Sequence, residues 1–398
     1  MAESVDAEVR LHGHPVGVLT YHQGGSTFRY EDSLTSPDHR VLGQIFEDAP
    51  GEIRRVPTGL PPWFANLLPE GALRRYVERE LGPGRIGDFR LLSALGTDLP
   101  GAVTVHRRGE LPDEPEDLGA TPPPPDHPLR HSLAGVQLKF SLRADRLTFP
   151  ASGESDWWIV KLPDRTLPSM PANEFITMMW LRLAGMDVPP PQLTTADATP
   201  DLPEGLIESH DKVYLIPRFD RTQDGRIHTE DFAQIADVAP AFKYRESGAT
   251  YDSLGLIVHR LAGGNGYLEY VRRLAAMVVV GNTDAHLKNW ALIYPDGRTP
   301  ALSPVYDFHS LTVYQTYRYA PLALKLGGEE MPSHITVDHF RTLAQAAGAS
   351  ADATVTTVNK TLQALRDSWA GLRDIAEGFY PALGRHFEQR LDKLPLCQ

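Results

Sequence analysis

The chain has 398 residues, of which 41% are hydrophobic and 23% charged, and a formal net charge of -12. Its length accommodates two or three domains and its balance is that of globular material, which excludes a disordered or fibrous protein. The acidity excludes a surface built throughout to neutralise phosphates, and the single cysteine, Cys397, excludes an internal disulfide and suits a reducing cytoplasm.

"MAESVDAEVR" at the N-terminus has neither the basic region nor the apolar core of a signal peptide. The apolar run "LAAMVVVG" is far short of the roughly 20 residues that span a bilayer. A soluble, cytoplasmic protein with no membrane association is expected.

In chain order, "AEVRLHGHPVGVLTY" and "STFRYED" alternate as short strands with turns at Gly and His-Pro. "PPWFANLLPEGALRRYVEREL" predicts a helix with apolar residues at Phe64, Leu67, Leu68, Leu73 and Tyr76, and "GDFRLLSALG" a further helix stopping at Gly96. Together these form a module over 1–110. Residues 111–128, "LPDEPEDLGATPPPPDHP", are Pro-rich and acidic without apolar period and read as an extended linker.

Beyond the linker, "VQLKFSLR", "RLTFP", "WWIVKLP" and "VYLIPRF" read as strands around one helix, "ANEFITMMWLRLAG". This makes a strand-rich lobe over 129–225. From 226 to 398 the reading is mostly helical, ending in "TVTTVNKTLQALRDSWAGLRDIAEGF". The layout is therefore α+β and bilobal: a strand-rich N-lobe, a helical C-lobe, and a small N-terminal α/β module.

The densest polar cluster lies in the C-lobe. "YLEYVRRLAAMVVV" predicts a helix that buries one face through Leu268, Val271, Leu274, Ala275 and Val278, and Gly281 can end it. Then "NTDAHLKN" gathers Asn282, Asp284, His286, Lys288 and Asn289 into eight residues. "WALIY" and "ALSPVYDF" flank a Pro-Asp-Gly turn and predict a hairpin. A hairpin sets its ends about 5 Å apart, so Asn289 and Asp307 become neighbours across 17 intervening residues, with Asp284 in the same loop.

Two carboxylates and an amide oxygen so clustered suit magnesium, which takes one or two hard oxygen ligands from protein and the rest from phosphates and water. Asn289 and Asp307 suit the metal, and Asp284 suits acceptance of a proton from an incoming hydroxyl. Asp284 as a plain turn residue and His286 as an ordinary loop histidine remain open. So does a two-metal hydrolase built on the Asp-x-His pairs at 284 and 307.

A phosphotransferase reading makes three demands elsewhere. A strand-end lysine for phosphates is met by Lys161, a turn near the phosphates by Ala134 and Gly135 with Lys139 nearby, and an adenine hinge by the Pro217 carbonyl and the Phe219 amide.

These motifs resemble the HipA-type serine/threonine kinases, the toxin half of bacterial toxin–antitoxin pairs. "HSLAGVQLKFSL" resembles the family's phosphate loop, "IVKLP" its lysine strand, "RFDR" its hinge, "GNTDAHLKN" its catalytic loop and "YDF" its metal motif. "DFAQIADVAPAFKY" agrees in spacing, and "WFANLLPEG" and "DFRLLSALGTDLPGAVTV" resemble the family's N-terminal module. The resemblance implies a bilobal protein-kinase-like fold and ATP and Mg2+ as cofactors. Asp284 would be the catalytic base, with Asn289 and Asp307 as metal ligands.

By the same resemblance Ala134, Gly135, Val136, Gln137, Leu138 and Lys139 form the phosphate loop, Lys161 holds phosphates, and Pro217, Arg218 and Phe219 form the hinge. His286, Leu287, Lys288 and Tyr306 line the nucleotide, and Ser132 is the autophosphorylation site. Pro217 stands where the family pattern has Glu, but the hinge needs only a carbonyl there. Glu174 either pairs with Lys161, as in other kinases, or lies solvated on its helix. The implied partners are a HipB-like helix-turn-helix antitoxin, operator DNA bound mainly through it, and an aminoacyl-tRNA synthetase as protein substrate. A small-molecule phosphotransferase and a catalytically silent ATP-binding subunit of a repressor complex stand as alternatives.

Overall fold

The computed structural model describes residues 4–31, 39–81, 86–111, 139–143, 157–164, 166–199 and 207–398. The linker from 112 to 128 and the expected strand "RLTFP" lie outside the described residues. Strands β1 (Ser4–Leu11), β2 (His14–His22), β3 (Gly25–Tyr30), β4 (Arg54–Val56) and β5 (Val103–Arg108) form an antiparallel sheet in the order β4-β3-β2-β1-β5. Val5, Ala7, Val9 and Leu11 alternate along β1 and are buried, as a half-buried strand requires. Helices α1 (Gln44–Asp48), α2 (Pro62–Ala65), α3 (Gly71–Leu81) and α4 (Asp88–Leu95) complete the module. Phe28, Phe46, Trp63 and Phe64 pack edge-on at its centre.

The single helix expected over "PPWFANLLPEGALRRYVEREL" is two helices. Proline cannot donate the N–H that a continuous helix needs at Pro69, and Gly71 takes a left-handed φ of 56°. The break leaves Glu70 at a corner rather than on a helix face, with consequences for the site below.

In the second sheet β6 (Lys139–Arg143), β7 (Trp157–Lys161), β8 (Gln192–Thr195) and β9 (Lys212–Pro217) run antiparallel in the order β6-β7-β9-β8. Helix α5 (Met170–Leu183) packs on β9. Strand β8 escapes a reading by pattern because all four of its residues are only half-buried. Next come the two-residue strands β10 (Arg221–Thr222) and β11 (Gly225–Arg226).

The C-lobe opens with a strand that a mostly helical reading omits: β12 (His228–Asp231), followed by α6 (Phe232–Ile235). Helix α7 (Tyr251–Val280) is broken at Gly263, whose φ is 69°. Its last turns are not amphipathic: Ala276, Met277, Val279 and Val280 are as buried as Val271, Leu274, Ala275 and Val278. A helix apolar all round runs through the core, not along its edge. The expected hairpin is present as β13 (Ala291–Tyr294) and β14 (Ala301–Leu302), with Leu292 opposite Leu302, and β12 adds a third strand with Thr229 opposite Ile293. Helices α8 (Val337–Ala347), α9 (Ala351–Trp369) and α11 (Pro381–Lys393) pack against α7, and α10 (Arg373–Phe379) packs on α11 and α5. Among the described residues no helix is long and apolar enough to cross a membrane.

The N-terminal module is docked on β12 and the hinge through buried polar bonds. The Glu230 carboxylate, fully buried, accepts from Trp63 Nε1 (2.9 Å), Gln44 N (3.1 Å) and Tyr294 Oη (3.0 Å). Arg221 donates to the Leu99 carbonyl at 2.7 Å, and Gly101 N to Asp220 Oδ2 at 2.8 Å.

Burial drives the Glu230 carboxyl up to about 8, against the pull of the Trp63, Gln44 and Tyr294 donors. Its folded form thus keeps a proton that the unfolded chain releases in the ordinary carboxylate range. Stability from this group falls as pH rises from about 5 to about 8, by up to about 1.4 kcal/mol per pH unit. Glu230→Gln is expected to flatten that part of the stability curve, measured by urea unfolding at stepped pH.

Candidate active site

Helix α7 stops because Gly281 adopts φ 74°, and a side chain there would sit 1.9 Å from Thr312 Oγ1. The Gly281 carbonyl accepts from Leu311 N (3.0 Å), tying the loop after α7 to the segment beyond Asp307. Within the loop Asn282 Oδ1 accepts from Asp284 N (3.1 Å), and Asn289 Nδ2 donates to the Asp284 carbonyl (2.9 Å). That bond fixes the nitrogen of the Asn289 amide and leaves its oxygen as the end able to meet a cation. The Asp284 carboxylate is buried and accepts from Tyr244 Oη at 2.7 Å.

The hairpin returns the chain to Asp307, which holds a left-handed φ of 56°. Such a conformation costs a non-glycine residue free energy and recurs at working sites, although Asp tolerates it better than most. Lys161, at the end of β7, is 3% exposed and bridges two acids: Glu174 of α5 at 2.5 Å, and Asp307. Burial alone would lower the Lys161 ammonium, but Asp307 and Glu174 carry it above its ordinary value. Of the two readings for Glu174 the structure selects the ion pair.

These groups meet in a cleft of ≈ 610 Å³ lined by Lys161, Asp284, His286, Asn289, Tyr306 and Asp307 among others. Pro217, Arg218 and Phe219 line it at the hinge, where the Phe219 and Tyr306 rings lie 5.6 Å apart. The Arg218 guanidinium is engaged by Asp220 and Asp98. Lys288 lines the cleft too, but its Nζ is held by Glu70 at 2.7 Å. Leu287 is not among the lining side chains; it is fully buried, with its amide on the Lys243 carbonyl at 3.1 Å.

His286 is held neutral by burial, with Lys243 and Lys288 adding to the effect, and its ring stands edge-on to Tyr244. Its Nδ1 has no hydrogen-bond partner among the described residues, a buried polar atom that a ligand in the cleft would satisfy.

Lys139 opens β6 opposite Lys161 in the register. Ser132 and the expected phosphate-loop residues Ala134, Gly135, Val136, Gln137 and Leu138 lie outside the described residues. Among the described residues no group of three or more His, Cys, Asp or Glu can hold a metal ion. A two-metal centre on the Asp-x-His pairs would need such a group, whereas a magnesium held mainly by phosphates and water does not.

Two contributors escape a reading by motif. Tyr244 sits in a segment whose spacing alone was informative. Glu70 comes from the N-terminal module, and its only local signal is a Pro-Glu-Gly corner interrupting an apolar helix pattern.

A strand-rich lobe carrying Lys161, a helical lobe carrying Asp284, Asn289 and Asp307, and a hinge between them define a protein-kinase-like fold. A family model described as the HipA-like C-terminal domain matches residues 131–369, and one described as the HipA N-terminal domain matches 7–106. The chain belongs to the HipA family.

It is 40% identical over 373 residues to Y4dM of Sinorhizobium fredii, which bears a kinase name, covering 91% of this chain and 90% of that protein. It is 24% identical to the serine/threonine-protein kinase toxin HipA of Shewanella oneidensis, covering 84% of this chain and 81% of that one. A solved Shewanella oneidensis structure of HipA with HipB and operator DNA shares the fold at a TM-score of 0.69 and 18% identity, covering 98% of this chain and 96% of that one.

Proposed function

We propose that the protein is a HipA-type, Mg-dependent ATP:protein serine/threonine phosphotransferase. The observation that carries this is the buried Asp284 carboxylate, oriented by Tyr244 at 2.7 Å in one cleft with Lys161, Asn289 and Asp307. In the reaction an acceptor hydroxyl oxygen bonds to the γ-phosphorus of ATP, the bond to the bridging oxygen of ADP breaks, and the hydroxyl proton passes to Asp284. Lys161 positions phosphate oxygens, and Glu174 holds Lys161. Pro217 to Phe219 and Tyr306 enclose the adenine. His286 offers Nδ1 to the nucleotide.

The donor set at Asn289 and Asp307, all hard oxygen, suits magnesium, which when bound would neutralise the charge of the β- and γ-phosphates. Removing the Tyr244 hydroxyl frees the Asp284 carboxylate to rotate. Tyr244→Phe is expected to lower turnover roughly 10-fold, the worth of one hydrogen bond to a charged group, with MgATP affinity retained. Steady-state transfer assays check this.

One relative's name, a serine/threonine-protein kinase toxin, supports a toxin that phosphorylates a protein; an aminoacyl-tRNA synthetase is the acceptor that the family resemblance alone implies. Autophosphorylation at Ser132, in the segment that the family resemblance gives to the phosphate loop, would add a charge of about -1.5 to -2 and so repel ATP. The HipA–HipB–operator DNA neighbour supports a HipB-like partner and operator DNA; that the partner is a helix-turn-helix protein through which DNA is chiefly bound is what the family resemblance implies. The acidity of this chain agrees with that division, and a cytoplasmic location follows from such a role. Transfer of labelled γ-phosphate to lysate proteins, run beside small hydroxyl acceptors, tests the reading. Label only on small acceptors would overturn the protein-kinase assignment.

A further inference from the structure

Glu70 belongs to the N-terminal module, yet its carboxylate is divided between two lysines of the C-lobe. Oε2 accepts from Lys243 Nζ and Oε1 from Lys288 Nζ, each at 2.7 Å. The bonds cross a large sequence separation, and both lysine side chains are mostly buried, at 7% and 15% exposure. Lys288 also donates to the Asn66 carbonyl of the same module at 3.0 Å. Burial alone would raise the Glu70 carboxyl, but the ammonium groups of Lys288 and Lys243 hold it well below the usual range.

The neighbours of these lysines in the chain give the clamp its meaning. Lys243 directly precedes Tyr244, whose hydroxyl holds the Asp284 carboxylate at 2.7 Å. Lys288 directly precedes Asn289, whose amide holds the Asp284 backbone at 2.9 Å. The Lys243 carbonyl accepts the Leu287 amide at 3.1 Å, joining the two segments. One carboxylate thus ties together both segments that set Asp284. Without it, two buried ammonium groups lose the anion they share, and the segments carrying them would separate.

We infer that Glu70 is a positioning residue for the catalytic loop, and that the N-terminal module is thereby a working part of the active site. The catalytic consequence rests on the kinase reading; the clamp itself does not.

The test is hydrogen exchange on the full-length protein, comparing wild type with Glu70→Gln well below both unfolding midpoints, together with transfer kinetics. The substitution keeps size and removes one acceptor. The expected result is a loss of protection at the Leu287 amide of about 10-fold, with the amides of β1 to β3 unchanged. Alongside it kcat falls on the order of 10- to 100-fold, with KM for MgATP within about twofold.

Lys243→Met, which cuts one arm of the clamp, should give the same pattern to a smaller degree and carries the test if Glu70→Gln fails to fold. Unchanged exchange at Leu287, equal loss of protection throughout the chain, or an unchanged kcat in a protein that transfers phosphate would each overturn the proposal. Phosphatase-stripped wild type that transfers no phosphate would sink the kinase reading, while the exchange comparison would still decide the clamp.

Discussion

Asp284→Asn is expected to lower phosphoryl transfer by about 10²- to 10⁴-fold while leaving MgATP binding in place. Asparagine keeps the size of the side chain and an oxygen that can accept from Tyr244 Oη, so the loop bonds through Asn282 and Asn289 persist. What it lacks is the capacity to take a proton from the acceptor hydroxyl. Unfolding midpoint and MgATP titration should match wild type, and single-turnover transfer should not. Equal loss of MgATP affinity and transfer would instead place Asp284 in nucleotide binding.

Lys161→Met should do the opposite, harming both fold and chemistry. Lys161 is buried between Glu174 and Asp307, and its removal takes from two carboxylates the cation they share. Breaking such a buried arrangement costs about 3–5 kcal/mol. Loss of a positioned donor to the transferring phosphoryl lowers transfer by about 10²- to 10³-fold. Lys161→Met/Glu174→Gln, with one of the two acids neutralised, should recover part of the stability and none of the transfer. Denaturant unfolding and transfer assays on the same preparations check the two effects separately.

The parts of this site that could be read from sequence are those confined to one stretch of chain. From α7 to Asp307 a helix stop, a polar loop and a turn-flanked hairpin follow in order, and each has local chemistry: Gly281, the 284–289 spacing, Pro295-Asp296-Gly297. Lys161 was legible because an apolar run ends in it. β12 was not, since "HTED" has no apolar alternation; it is a strand because it pairs with β13 and lies under the docked module. The one-sided reading of α7 failed for a related reason: its outer face is covered by α8, α9 and α11, which no local pattern discloses. Glu70 lies farthest from any local signal. A Pro-Glu-Gly corner marks a turn, but only docking across the whole chain brings its carboxylate to Lys243 and Lys288.

Phosphoryl transfer from ATP to a hydroxyl is the central step, and intact mass of the full-length protein tests it most directly. The protein is first stripped with phosphatase, then incubated with Mg-ATP beside Asp284→Ala and Asp307→Ala. A gain of one phosphate on wild type, mapped to Ser132 and absent from both variants, is the predicted result. No gain on stripped wild type that still binds MgATP would contradict it and leave an ATP-binding subunit without transfer chemistry.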